Sequence, residues 1–128
     1  MRHSSLLAAT LIFFVACGPQ LGDNCKTATD CSIQGNRICD KSQPGGYCTI
    51  ANCDKGGCGD GEGVCVRFRP DEPRLSVSYC MKECSDSSDC RDAFGCRTAA
   101  QLNAKSAESR VAEVVDTNAG AKFCVLKE

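Results

Sequence analysis

The sequence predicts a small disulfide-rich fold of short β-hairpins and loops, arranged as three tandem four-cysteine modules. Three observations point to it. Thirteen of the 128 residues are cysteine. From Cys17 to Glu128, only eighteen of 112 side chains are Leu, Ile, Val, Met or Phe. That is too little apolar bulk to offset chain entropy through a core alone. The twelve cysteines from Cys25 onward also recur in a common pattern.

The first copy, "CKTATDCSIQGNRICDKSQPGGYC" (25–48), places Cys25, Cys31, Cys39 and Cys48 with gaps of 5, 7 and 8. The second, "CDKGGCGDGEGVCVRFRPDEPRLSVSYC" (53–80), places Cys53, Cys58, Cys65 and Cys80 with gaps of 4, 6 and 14. The third (84–124) places Cys84, Cys90, Cys96 and Cys124 with gaps of 5, 5 and 27. An aromatic precedes each fourth cysteine (Tyr47, Tyr79, Phe123), and Asp30 and Asp89 precede the second cysteine in copies one and three. Self-similarity of this kind marks a repeat architecture. Links of four and three residues then set the modules in a row, as a rigid rod.

The last gap varies most, as a hairpin loop does, because added residues at a surface turn cost little closure entropy. In copy two, "VCVRF" and "SVSYC" read as strands around the turn "RPDEPRL". With Cys65 opposite Cys80, Val66 faces Tyr79 and Phe68 faces Val77 on one side, an apolar stripe. Arg67, Arg69, Ser76 and Ser78 share the other side with the cysteines. In copy one, "RIC" and "GYC" flank "DKSQPGG". Copy three carries the insertion 97–122, with a short helix expected in 98–110 and a strand in "RVAEVVD". Four cysteines allow three connectivities, and bridges between copies add further arrangements. A lone hairpin is marginal in water, so bridges that brace it against the preceding loop, first to third and second to fourth, are the favoured pattern.

The amino end is different. Met1 to Ser5 is short and basic, and Leu6 to Val15 is apolar apart from Thr10. Such a run spans about 15 Å as a helix against roughly 30 Å of hydrocarbon, so it reads as an export signal, 1–16, rather than a membrane span. The tetrapeptide Phe14-Val15-Ala16-Cys17 resembles the lipobox of bacterial lipoproteins, with Phe where Leu is usual. The resemblance implies that Cys17 receives a diacylglycerol and becomes the new N-terminus. The alternatives are an uncleaved anchor or an unpaired thiol. Lipidation leaves an even dozen cysteines, and two or three acyl chains hold a protein stably on a bilayer. Residues 17–24 then form a flexible tether. By analogy with Gram-negative sorting, Gly18 rather than Asp after the cysteine implies the outer membrane.

The segments "CSDSSDCRDAFGC" and "CKTATDCSIQGNRIC" resemble the EB, dickkopf and whey-acidic cysteine-rich modules, and still more the cysteine-rich lipoproteins of myxobacteria. The adjacent cysteine pair of the whey-acidic type is missing. The bacterial resemblance implies location and scaffold, not an activity.

Catalytic chemistry is not expected. The only histidine, His3, leaves with the signal, so the mature chain has no imidazole for base catalysis or metal ligation. No catalytic, cofactor-binding or metal residue is assigned. No C-x2-C pair favours zinc or thioredoxin-like chemistry, and Asp54, Asp60 and Glu62 depart from the EF-hand order. Asp71 and Glu72 read as solvated turn charge. A net charge of about −2 after signal loss, with both signs interspersed, gives no sign of a nucleic-acid partner. The expected partners are a membrane, through the lipid, and an extracellular protein or polysaccharide. Val66, Phe68, Val77 and Tyr79 are the candidate partner surface, unless that stripe packs on a neighbouring module. A second function class is a secreted inhibitor or receptor ligand acting through the loop Arg69 to Leu75.

Overall fold

The computed structural model describes residues 18–59 and 61–128. The signal 1–16, Cys17 and Asp60 lie outside the described residues. The fold class is the expected one: short hairpins, small helices and six disulfides. The elements are α1 (Ala28–Cys31), β1 (Ile38–Cys39), β2 (Cys48–Thr49), β3 (Gly63–Phe68), β4 (Val77–Lys82), β5 (Phe94–Thr98), α2 (Ala99–Asn103), β6 (Ala112–Val114) and β7 (Lys122–Leu126).

Each module folds by one rule. Its third and fourth cysteines stand opposite one another in an antiparallel hairpin: Cys39 and Cys48, Cys65 and Cys80, Cys96 and Cys124. They do not bond each other. Each turns to the loop before it, giving Cys25–Cys39 with Cys31–Cys48, Cys53–Cys65 with Cys58–Cys80, and Cys84–Cys96 with Cys90–Cys124. The first-to-third bridges all hold their Cα atoms 5.9 Å apart. A two-residue hairpin such as β1–β2 has almost no ladder of its own, so its bridges supply the support that hydrogen bonds cannot.

The repeated aspartates also share a role. Asp30 accepts from the backbone N–H of Lys26 and Thr27, and Asp89 from Ser85 and Asp86. Each carboxylate thus closes the turn after the first cysteine as half of a capping box. The two amides, Lys26 before Thr27, hold the Asp30 carboxyl below its ordinary range. Copy two has Gly57 at this position, and a carboxylate enters its loop from the insertion instead. Asp116 accepts from Gly56 N–H and Cys65 N–H, both at 2.8 Å.

The insertion stitches modules two and three together. After β5, Thr98 and Gln101 form a reciprocal cap on α2. Asn103 then accepts from Val111 N–H and Ala112 N–H and donates to the Ala112 carbonyl, turning the chain into β6. That strand joins the module-two hairpin in the order β4-β3-β6, pairing Val66 with Val114 and Phe68 with Ala112. Outside it, Arg110 grips Asp71 through its guanidinium and its own N–H, which holds the Asp71 carboxyl below its usual range.

Two expectations about overall organisation are corrected here. The modules are not set end to end as a rod. One core takes Tyr47 from module one, Val64 and Val66 from module two, Met81 from the end of β4 just beyond it, and Phe94, Phe123 and Leu102 from module three. With so few apolar side chains, one pooled core buries more of them than three separate ones would. Residues 20–24 are also not a flexible tether. Leu21 is only 1% exposed and packs against Cys53, Cys58, Cys65 and Cys80. A Cβ on Gly63 would stand 2.4 Å from Leu21 Cδ1, so that glycine makes room for it. The bridges of module two leave an apolar hollow, and Leu21 fills it.

Gly46 is the tightest point of module one. Its φ is +74°, and a Cβ there would lie 2.2 Å from the Cys25 carbonyl oxygen and 2.8 Å from Cys25 Sγ. Gly46→Ala is expected to cost about 3 kcal/mol or more, combining left-handed strain with a clash against backbone and bridge. Gly45→Ala, with a φ of +72° but only Arg91 Nη1 at 3.2 Å, should cost about 1 kcal/mol. Urea midpoints of the two oxidised variants check the order.

Candidate functional site

The stripe singled out on the module-two hairpin divides in two. The register is the expected one, Val66 with Tyr79 and Phe68 with Val77. Val66 is 0% exposed, however, packed in the shared core on a strand flanked by β6, so it belongs to the interior and not to a partner surface. Phe68, Val77 and Tyr79 stay half-buried. The Phe68 and Tyr79 rings lie 6.4 Å apart, tilted by 48°, within the range of favourable aromatic pairs.

Those two rings, with Met81, Val125 and Leu126, form the apolar wall of a cleft of about 220 Å³. Its rim is polar, from Asp40, Ser42 and Gln43 of the module-one loop. Asp40 accepts from both the backbone and the hydroxyl of Ser42, which fixes that rim. All three modules therefore contribute to the cleft. It offers aromatic faces beside hydrogen-bonding groups, a suitable surface for a peptide or sugar fragment. On the opposite face of the hairpin, Ser78 Oγ donates to the Cys53 carbonyl beneath the bridges.

Tyr47 holds the three modules in place around this cleft. It is 2% exposed. Its hydroxyl accepts from Lys82 N–H at 2.9 Å and donates to the Cys124 carbonyl at 3.1 Å, so one oxygen joins modules one, two and three. Burial pushes its pKa up to about 12, against the smaller opposing effects of the Lys82 amide and the Arg91 charge. Its ring packs 5.3 Å from that of Phe94. Arg91 lies over both, with its guanidinium carbon 4.7 Å from the Phe94 centroid. From there Arg91 donates to the carbonyls of Gly22, Pro44 and Gly46.

A second, larger cleft of about 530 Å³ lies between the glycine-rich loop and the insertion, lined by Lys55, Glu83, Asp116 and Asn118 among others. Of the acidic residues considered for calcium, Asp54 and Glu62 are exposed. Asp60 lies outside the described residues, and Glu62 is paired with Arg37 at 3.0 Å. Both Asp116 oxygens are taken by backbone amides. Three sulfurs in each module come within 4.8 Å of one another, but every one is bonded to another sulfur and has no thiolate to offer a metal.

The loop Arg69 to Leu75 closes into tight turns, with Glu72 N–H on Arg69 and both Leu75 N–H and Ser76 N–H on Glu72. Its tip residues Arg74 and Leu75 are exposed. Sequence reasoning missed Leu21, Arg91 and Asp116. Leu21 left a signal, being a large apolar residue outside any module in a chain that has few. Arg91 and Asp116 left none, since their partners are distant backbone groups.

No helix among the described residues is long and apolar enough to cross a membrane. Compared with protein-family models, curated proteins and solved structures, the chain matches none.

Proposed function

We propose that the protein is a lipid-anchored component of a bacterial cell envelope, outer membrane by its sorting signal. In this reading it is exported, acylated at Cys17, without catalysis, and presents a disulfide-braced body to an extracellular protein or polysaccharide. One observation carries the reading. All twelve cysteines from Cys25 to Cys124 pair with one another, which leaves Cys17, in its lipobox-like setting, without a cysteine partner in the chain. Six bridges in a chain of this size fit an oxidising compartment. The cleft walled by Phe68 and Tyr79 is the surface assigned to the partner.

The inhibitor reading is the weaker one, because its loop is folded into closed turns rather than the extended strand that a protease cleft takes. Intact mass of the unreduced mature protein is the test. The expected mass starts at Cys17, carries two or three acyl chains and lacks twelve hydrogens, two for each of the six bridges. A free thiol on an unmodified Cys17 would overturn the anchor.

A further inference from the structure

We infer that the body lies directly on the bilayer in one orientation, with the Cys31–Cys39 loop of module one, tipped by Ile33, as its membrane contact. This rests on the proposal that Cys17 is acylated. Lipid anchors leave a protein free to tumble when a long slack segment follows the modified residue. Here the slack is almost absent. The Pro19 carbonyl accepts from Arg37 Nη1 at 2.8 Å, and Gln20 N–H donates to Asp23 at 2.8 Å. Leu21 is buried, Gly22 N–H donates to the Cys48 carbonyl, and Arg91 donates to that of Gly22. Only Gly18 separates Cys17 from the first residue held, and two residues reach about 7 Å. The acyl-bearing sulfur, and the lipid interface with it, must therefore lie close to Pro19.

The side chain that holds Pro19 comes from the loop that also carries Ile33. Ile33 is 96% exposed, the most exposed of the large apolar residues among those described, and Ile38 on the same loop is 42% exposed. A lone exposed isoleucine is ordinary. This one sits at the tip of a closed turn, with Gly35 N–H donating to the Ser32 carbonyl and a further contact between the Ser32 and Asn36 side chains. Arg37, in turn, is locked by Glu62 at 3.0 Å. An apolar tip on the loop that is tied to Pro19 through Arg37 matches the apolar side of a lipid interface.

The β3–β4 hairpin supplies a second reference point, away from Leu21. Leu21 meets Gly63 at the open end of the β3–β4 hairpin. Leu75, 54% exposed, occupies its turn, with the strand Gly63–Phe68 between them, a span of roughly 17–20 Å.

The chain contains no tryptophan, so a single one reports its own surroundings. The test places Ile33→Trp and Leu75→Trp in the full acylated protein, bound to vesicles of brominated phosphatidylcholine. Interfacial side chains enter about 5–10 Å into the headgroup boundary, so Ile33→Trp should be blue-shifted and quenched about twofold or more relative to Leu75→Trp. Equal quenching, or stronger quenching of Leu75→Trp, in acylated protein that sediments with the vesicles would overturn this orientation alone. Protein that lacks acyl mass and stays in the supernatant would overturn the anchor and the orientation together.

Discussion

Full reduction and alkylation of the mature protein is expected to unfold it. The bridges close sequence separations of 12 to 34 residues. A loop of about 15 residues contributes roughly 3 kcal/mol through the unfolded state and the longer ones slightly more, so the set sums to about 19 kcal/mol at most. Overlap within each module lowers that figure, because the first-to-third and second-to-fourth loops share residues. Even half of it is comparable to the whole stability of an ordinary domain, about 5–15 kcal/mol. What would remain is one pooled core and hairpins such as β1–β2, paired over two residues. Circular dichroism and the hydrodynamic radius of the alkylated chain are the measurements. A native-like radius after alkylation would refute the view that sulfur, not oil, holds the fold.

The second large effect lies at Tyr47. Tyr47→Ala removes a buried ring from the junction of three modules and strands Lys82 N–H and the Cys124 carbonyl without a partner. Emptying a buried aromatic site costs about 3–5 kcal/mol, and the stranded groups add to it. Tyr47→Phe keeps the ring and should cost only about 1–3 kcal/mol. Denaturant unfolding with the bridges intact separates the two.

The pH dependence follows from the same phenol. Its pKa is raised from 10.0 to about 12 in the folded state. Between those values the folded protein keeps a proton that the unfolded chain has released. Its contribution is therefore complete below pH 10 and is lost as pH rises toward 12, roughly 2–3 kcal/mol in all. Tyr47→Phe should flatten that part of the stability curve. A Tyr79→Phe background leaves one phenol for absorbance titration.

The amino-acid sequence by itself determined the parts governed by local spacing. Cysteine gaps delimit the modules, the placing of Cys65 opposite Cys80 brings Val66 against Tyr79 and Phe68 against Val77, and Asp30 and Asp89 recur before the second cysteine. A hairpin that cannot stand alone needs bracing by the loop before it, which favours the crossed disulfide pattern, while spacing leaves three pairings open in each module and only the structure selects among them. These are short-range constraints.

Only the tertiary structure decided how the modules sit on each other. The pooled core withdraws Val66 from solvent, joins the insertion to β3 as a third strand, and brings Arg91 back over module one. Leu21, written in a segment that reads as slack, is drawn into the hollow between two bridges. The reason is the same throughout. Apolar side chains this scarce are buried best in company, and their partners are chosen by three-dimensional proximity across distant turns, a quantity that neither spacing nor periodicity encodes.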